Sequence, residues 1–285
     1  MRSDPATYSV IAPTSLASAL DLLAANPGAH TPIAGGTELM VAFNTGRLPH
    51  RSLLSLQHLR ELRFIDMSEI EITIGSATTF TDLRKHPAIH QHLPLLSQAA
   101  SWTGSIANQN RGTLGGNIVN ASPAADSSPA LLIYDATVNL ISAAGRRSMP
   151  YRDFHLSYKK TDLRPEELVH SLALKRDWIG YRTYIRKVGT RLAQAISKTA
   201  LAGVARLEGG RVIEIRLAAA SLADRPIRLY AAEQALLHQP LDDRTIALSR
   251  AALLAEARPI DDIRSTAKYR SAVAANLLEE FLRQL

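Results

Sequence analysis

The sequence predicts an α+β fold in two domains, the first over residues 1–176 and the second over residues 177–285. Three observations support this prediction. Helical and strand periodicities alternate irregularly through the first part, and two glycine-rich segments interrupt them. After Trp178 the pattern changes to consecutive strands followed by consecutive helices. A chain of 285 residues is long enough for two medium domains, each with its own core.

The first elements form a helix, a strand, a glycine turn and a second helix. Leu16, Ala19, Leu20 and Leu23 recur at helical spacing and predict a helix over residues 14–25, started by Pro13-Thr14 and ended by Pro27-Gly28. Apolar residues 31–34 predict a short strand that leads into Gly35-Gly36. A second helical pattern begins at Thr37 and runs to residue 43.

The next stretch contains two predicted strands and two predicted helices before its periodicity fails. Residues 52–56 and 71–75 are predicted strands. Thr79 caps a helix that ends near residues 86–87, and residues 95–102 form another. Residues 104–130 are rich in Gly, Asn, Ser and Pro and show no period, which predicts a long irregular segment. Such segments inside compact domains are often functional.

The remaining elements follow clear signals. Strands are predicted over residues 137–141 and 168–174, with a turn at Ala144-Gly145. The second domain begins with strands over residues 181–187, 197–207 and 211–219, the last two joined by Gly209-Gly210. Its helices are expected over residues 229–237, 243–255 and 265–284.

Composition excludes several classes of function. The chain has no cysteine, which excludes disulfides, thiolate catalysis and an iron–sulfur cluster held by its own cysteines. Its 33 basic and 26 acidic residues are dispersed, so we expect no nucleic-acid partner. Because there is no run of 18 apolar residues and no signal-like N-terminus, we expect no membrane span and a cytoplasmic location.

The first candidate site is the turn Pro32-Ile33-Ala34-Gly35-Gly36-Thr37-Glu38-Leu39. Adjacent glycines after a strand allow backbone amides to point outward without a Cβ in the way. A helix that begins just beyond them adds partial positive charge, and together these features favour a phosphate or diphosphate. Taken alone, the same turn is better explained by a tight turn that only needs positive φ.

The second candidate site is the segment from Asn110 to Asn117 and its continuation from Asn120 to Asp126. Glycines permit close backbone approach, and Asn, Ser and Thr supply hydrogen bonds to an elongated polar ligand. Asp126 could accept a hydrogen bond from a ribose or ribityl hydroxyl. The alternative is a surface loop without a ligand. Two glycine turns in one domain favour a dinucleotide, although neither matches G-x-G-x-x-G, so a Rossmann site is not indicated.

These segments resemble the FAD-binding subunits of the molybdenum hydroxylases, the family of bacterial xanthine dehydrogenase and molybdenum carbon-monoxide dehydrogenase. The likeness rests on Ala34 to Leu39, on Arg111 to Asn117 and on Asn120 to Asp126. It extends, in the expected order, to residues 74–79, 165–169 and 184–187. The second loop is the specific signal because its length and composition are unusual.

The resemblance implies one FAD and a set of residues that hold it. Residues of the first loop would contact the diphosphate and approach the ring, and residues of the second loop would hold the pyrophosphate and ribityl region. Asp126 would bind a ribityl hydroxyl, Val169 would lie beside the adenine or the ring edge, and Lys187 would lie near the flavin. The cofactor-binding residues so implied are Ile33, Ala34, Gly35, Gly36, Thr37, Glu38, Leu39, Thr103, Thr113, Leu114, Gly115, Gly116, Asn117, Asn120, Asp126, Val169 and Lys187.

The resemblance also implies a fold and partners. The fold would be the vanillyl-alcohol-oxidase (PCMH) type, with subdomains over about residues 1–55 and 56–176 holding FAD between them. A C-terminal domain with a small antiparallel sheet and helices would follow. A molybdopterin-binding large subunit and a small subunit with two [2Fe–2S] clusters would deliver electrons, and NAD⁺, oxygen or another acceptor would receive them. No catalytic residue and no metal site is expected on this chain.

Some positions depart from the family pattern, and two alternatives stay open. Residues 106–110 replace the Ile-Arg-Asn expected before Arg111, and Thr103 stands where animal relatives place an aromatic residue on the flavin. One alternative is a stand-alone FAD-dependent reductase, for which Glu38 would be the acid near the ring. The other is a scaffold subunit without flavin. His86, His90 and His92 are interpreted as a solvated helix end rather than metal ligands.

Overall fold

A computed structural model describes residues 3–48, 50–176, 178, 180–191 and 193–285. Its strands are β1 Ser9–Ile11, β2 Thr31–Ile33, β3 Ser52–Ser55, β4 Ile65–Met67, β5 Glu71–Gly75, β6 Thr137–Ser142, β7 Gly145–Pro150, β8 His155–Ser157, β9 Lys160–Thr161, β10 Leu168–Lys175, β11 Arg182–Val188, β12 Thr199–Glu208, β13 Arg211–Ala220 and β14 Ile227–Arg228. Its helices are α1 Leu16–Ala25, α2 Leu39–Asn44, α3 Phe80–Lys85, α4 Pro87–His92, α5 Pro94–Ser101, α6 Ile106–Arg111, α7 Leu114–Val119, α8 Ser128–Ile133, α9 Tyr151–Phe154, α10 Tyr230–Leu236, α11 Asp243–Glu256 and α12 Ala267–Leu282.

The first layer is a small parallel sheet in the order β1-β3-β2. Helix α1 begins at Leu16, two residues later than predicted, because Ser15 is its N-cap and forms a reciprocal capping box with Ser18. Its buried leucines pack with Ile141 of β6 and Leu168 of β10 in one core. This shared core fixes the small sheet against the second subdomain.

The second layer is an antiparallel sheet in the order β4-β5-β10-β6-β7. Apolar residues on one face of this sheet pack against α3, α5 and α8 and form the main core. Thr79 caps α3 in a capping box with Asp82, as the sequence predicts. The sheet and its helices therefore provide the rigid base from which the second glycine segment projects.

The prediction of an irregular segment over residues 104–130 is wrong, because α6, α7 and much of α8 lie within it. Each of these helices is six residues long, which is too short to show a 3.6-residue period. Their start signals are nevertheless in the sequence. Ser105 and Thr113 cap α6 and α7 through their side chains, and a proline opens α8.

The C-terminal unit is an antiparallel sheet in the order β11-β12-β13-β14, followed by α10, α11 and α12. One face packs against these helices, and Gly203 of β12 allows the ring of Phe281 to approach closely. On the other face Ala202, Val204 and Ala218 join the main core beneath the helices of the second subdomain. The sheet is therefore covered on both faces, and β12 is buried over most of its length.

Aromatic and histidine residues near this joint complete the fold. The rings of Trp178 and Tyr181 pack edge to face, with centroids 5.2 Å apart. The interpretation of the three histidines as a solvated helix end is wrong for His92. This residue is buried, and the Arg176 guanidinium donates to its Nε2 at 3.2 Å.

Within the described part of the chain, no helix combines the length and the apolar character needed to cross a membrane.

Candidate functional site

The two glycine turns lie in direct contact. A Cβ on Gly35 would stand 1.8 Å from the carbonyl oxygen of Arg111 and 2.9 Å from the nitrogen of Gly112, so only glycine fits at position 35. Thr37 of the same turn reaches the other side of Gly112. The two segments that the sequence analysis singled out separately thus form one continuous surface.

The first turn presents backbone donors. Gly36 has φ +73°, a left-handed conformation that favours glycine. Among the described residues, none accepts a hydrogen bond from the backbone N–H groups of residues 34–39. Helix α2 begins only at Leu39, so Thr37 and Glu38 belong to the turn and not, as predicted, to the helix. A row of free, half-exposed amides after a strand suits a phosphate or diphosphate.

The second turn uses most of its amides within the protein. The N–H groups of Leu114 and Gly115 donate to the carbonyls of Thr78 and Ser76 at 3.0 and 2.8 Å. The Thr113 hydroxyl accepts from the Gly116 N–H at 3.1 Å and caps α7. Gly116 itself is exposed at the surface. The second turn therefore has few amides left to donate to a ligand, whereas the amides of the first turn are free to do so.

Two asparagines of the second segment are held by their oxygens. The Asn117 Oδ1 accepts from the Ser127 hydroxyl at 2.6 Å, and the Asn120 Oδ1 accepts from Lys159 at 2.6 Å. Each amide group is thereby oriented, and no described residue accepts from its Nδ2. These Nδ2 groups can serve as donors to a ligand.

Asp126 and Lys187 form a buried ion pair. The Lys187 Nζ donates to Asp126 Oδ2 at 2.7 Å, and both side chains are about nine-tenths buried. Lys187 also donates to the carbonyl oxygen of Trp102 at 3.3 Å, just beyond the C-terminal end of α5. Burial raises the pKa of Asp126 to about 6, against the opposing charge and hydrogen bond of Lys187. Its second oxygen, Oδ1, is buried without a hydrogen-bond partner among the described residues.

Thr103 and Val169 are placed differently from the turn residues. The Thr103 hydroxyl donates to the carbonyl oxygen of Ala99 at 2.8 Å, so it caps α5 and is half-buried beside Trp102. Val169 is buried in the main core at a bulge of β10, where the pairing register shifts. Because its side chain is packed inside, only its backbone can meet a ligand.

Lys159 contacts two of the predicted cofactor-binding residues, although no pattern in the sequence singled it out. It lies at the tip of the β8–β9 hairpin, and its Nζ approaches Glu38 Oε1 at 3.4 Å as well as Asn120. The sequence shows it only as one of two adjacent lysines. Its partners lie 121 and 39 positions away, so no local pattern could have connected them.

The arrangement fits the cofactor that the resemblance implies. Free amides suit a diphosphate, and the unpartnered Asp126 Oδ1 suits a donor hydroxyl. Because Gly35 has no Cβ, the backbone of the first turn can approach the Arg111 carbonyl of the second directly. Within the described residues, no group of three or more His, Asp or Glu side chains is placed to hold a metal ion.

Two protein families match the chain in succession. The family described as the FAD binding domain in molybdopterin dehydrogenase matches residues 6–174. The CO dehydrogenase flavoprotein C-terminal domain matches residues 184–285. Together the two matches span nearly the whole chain.

Individual relatives are similar over most of their length. The chain is 34% identical over 260 residues to a xanthine dehydrogenase FAD-binding subunit of Escherichia coli O157:H7, covering 90% of this chain and 88% of the relative. It is 29% identical over 282 residues, 99% of each chain, to a glyceraldehyde dehydrogenase medium chain of Sulfolobus acidocaldarius. A carbon monoxide dehydrogenase structure from Hydrogenophaga pseudoflava superposes with a TM-score of 0.93 at 27% identity, covering 99% of this chain and 98% of that one.

Proposed function

The chain belongs to the family of FAD-binding subunits of the molybdopterin dehydrogenases, and from this premise we propose that it relays electrons from an iron–sulfur partner subunit to an acceptor through one FAD. The observation that supports this role best is the contact between the two glycine turns. It sets the free amides of the first turn against the backbone of the second, and the second segment also carries a buried carboxylate oxygen without a partner among the described residues. The likeness to dehydrogenase subunits supports an oxidoreductase activity.

Each part of the site has a distinct task in this proposal. The amides of residues 34–39 bind the diphosphate, and Gly35 and Gly36 keep that surface clear of side chains. Asp126 Oδ1 accepts from a ribityl hydroxyl, which satisfies the one oxygen that Lys187 leaves free. The chemistry that FAD supplies when bound is the storage of two electrons and their release to an acceptor. Lys187 holds a positive charge in a buried position, which favours negative charge added nearby.

The partners follow from what the chain lacks. Without cysteine it cannot hold the cysteine-bound iron–sulfur clusters from which the FAD would draw electrons. We therefore propose a hetero-oligomer with a small subunit that carries [2Fe–2S] clusters and a large subunit that binds molybdopterin. NAD⁺ is one candidate acceptor. The cytoplasmic location stays a prediction.

We also propose that the FAD-binding domain ends near residue 176. Residue 177, where the sequence analysis divides the chain, lies outside the described residues. The two family matches end at residue 174 and begin at residue 184, which supports a division in this interval.

The test is a visible spectrum combined with metal analysis of the full chain, expressed alone and with the proteins encoded beside its gene. We expect flavin absorption bands in both preparations, and molybdenum and iron only in the second. A colourless chain that takes up no added FAD would contradict the proposal and support a scaffold without flavin. A flavoprotein that purifies without metal-containing partners would support the stand-alone reductase.

A further inference from the structure

The β8–β9 hairpin lies across the second glycine segment and is fixed to it. His155 is buried, and its Nε2 lies 2.7 Å from the carbonyl oxygen of Ile118 in α7. At the tip, the backbone N–H of Lys159 donates to the carbonyl oxygen of Ala121 at 3.2 Å. From the C-terminal unit, Arg225 donates to the carbonyl oxygen of Leu156 at 2.6 Å. The base of the hairpin is therefore held from two sides.

The tip of the hairpin reaches the first subdomain through one side chain. Lys159 has φ +56°, a left-handed backbone conformation that residues other than glycine rarely adopt. This backbone places its Nζ 2.6 Å from Asn120 of its own subdomain and 3.4 Å from Glu38 of the first turn. A strained residue held where its side chain bridges two elements suggests a functional constraint.

On the premise that FAD binds between the two turns, we propose that the hairpin is a strap over the cofactor cleft and that the Lys159–Glu38 ion pair is its latch. The pair connects the two subdomains between which the cofactor would pass. Its side chains are 37% and 60% exposed, so the bond is weak and opens easily in water. Lys159 is a positioning residue in this scheme, because it acts on the first turn through Glu38.

A latch has a kinetic signature that a direct contact lacks. If opening of the cleft limits passage in both directions, loss of the latch speeds FAD entry and FAD release by the same factor. For an exposed ion pair that factor is about two- to fivefold, and the dissociation constant changes little. Loss of a direct contact with FAD would speed release alone.

The experiment measures both rates in the cofactor-free full chain by stopped-flow flavin fluorescence. Lys159→Met and Glu38→Gln are compared with wild type, with the double variant and with Lys159→Arg. Lys160→Met is the matched control, because Lys160 is the adjacent lysine and has no side-chain partner among the described residues. We expect faster entry and release in Lys159→Met, no further change in the double variant, and recovery in Lys159→Arg. High salt should raise the wild-type rates toward those of Lys159→Met, since salt screens the exposed pair.

Several outcomes would overturn the latch. Unchanged rates in Lys159→Met would exclude it, and faster release with unchanged entry would make Lys159 a direct FAD contact. Additive effects in the double variant would show that the two residues act independently. Glu38→Gln carries the same expectation as Lys159→Met, so the question is decided even if one of the two variants folds poorly. If wild type itself binds no FAD, the proposed function fails instead, so the two failures are distinguishable.

Discussion

At the scale of single residues, only one of the two oxygens of the Asp126 carboxylate has a hydrogen-bond partner among the described residues. Lys187 occupies one carboxylate oxygen and the other is buried without a partner among the described residues. An unsatisfied buried acceptor is unfavourable in the cofactor-free protein and becomes satisfied when a hydroxyl arrives. We therefore interpret the raised pKa of Asp126 as a property of a site built for a ligand.

The raised pKa predicts a pH dependence of stability. The folded protein holds the Asp126 proton up to about pH 6, whereas the unfolded chain releases it near pH 3.8. The contribution of this group to stability is therefore lost as the pH rises between these two values. The total loss is about 3 kcal/mol, of which roughly half falls between about pH 5 and about pH 7.

Asp126→Asn lacks this ionisation and serves as the reference. Urea unfolding of both cofactor-free proteins across that range should show wild type losing stability relative to the variant as the pH rises. All other ionisable groups are shared, so the difference isolates Asp126. A constant difference would show that Lys187 offsets the burial penalty, and a difference of opposite sign would show that Lys187 stabilises the carboxylate more than burial penalises it.

Gly35→Ala should separate the two turns. Its Cβ would overlap the Arg111 carbonyl, which lies on backbone that cannot easily move. We expect the unfolding free energy to fall by about 1–3 kcal/mol and the FAD affinity to weaken by roughly tenfold or more. Both are measurable, by urea unfolding and by fluorescence titration.

Gly116→Ala is the matched comparison. A Cβ at Gly116 would meet only the Thr113 hydroxyl, at 3.0 Å, so stability should change by about 0.5 kcal/mol or less. FAD affinity should still fall if Gly116 binds the cofactor as proposed, because the added methyl group would lie on the exposed surface of the second turn. Equal loss of stability in both variants would argue against the steric account of Gly35.

At the scale of elements, strands β5 and β12 differ in the pattern of polar and apolar residues that their sequences show. β5 alternates polar and apolar residues, and its prediction over residues 71–75 is confirmed residue for residue. β12 is buried on both faces, so it shows a nearly continuous apolar run. Residues 104–130 were predicted incorrectly because three six-residue helices, begun by caps and by proline, leave no period to detect.

Gly203→Ala should destabilise the packing of β12 on α12. A Cβ there would stand 2.5 Å from Phe281 Cε1 and 3.2 Å from a methyl group of Leu217. Thermal or urea unfolding should show a loss of about 1–3 kcal/mol, with FAD affinity unchanged. The double variant Gly203→Ala/Phe281→Leu should recover part of the loss. No recovery would mean that the strain lies elsewhere than against the ring.

At the scale of the whole molecule, two arginines tie the C-terminal sheet to the end of α8. Arg216 donates to the Ile133 carbonyl at 3.2 Å and lies 4.0 Å above the ring of Trp178. Arg228 is buried, bonds Glu233 at 2.8 and 2.9 Å, and approaches Asp135 at 3.3 Å. These charges add hydrogen bonds and ion pairs to the apolar contact that Ile185, Ala202, Val204 and Ala218 make with the main core.

Arg228→Met should therefore lower the unfolding free energy of the whole chain. It leaves the Glu233 carboxylate, itself buried, without its cationic partner, at a cost of about 3–5 kcal/mol. The double variant Arg228→Met/Glu233→Gln should lose less than the sum of the single changes. Calorimetric unfolding of the three proteins checks this, and strict additivity would show that the pair is not coupled.

The sequence by itself determined the local features of this protein and its chemical limits. The positive φ of Gly36, the caps at Thr79 and Thr113 and the strand–turn–strand at Gly209-Gly210 depend only on neighbouring residues. The lack of cysteine is likewise a property of composition, and it requires that any cysteine-held cluster belong to a partner.

Only the tertiary structure decided which of these features meet. The Gly35–Arg111 contact, the Asp126–Lys187 pair and the Lys159–Glu38 bridge join residues far apart in the chain, the last two across 61 and 121 positions. The inward side chain of Val169 depends on a bulge in β10. Local propensity acts over a few residues, whereas such contacts are selected by the packing of separate elements into shared cores, and no pattern in the sequence records that choice.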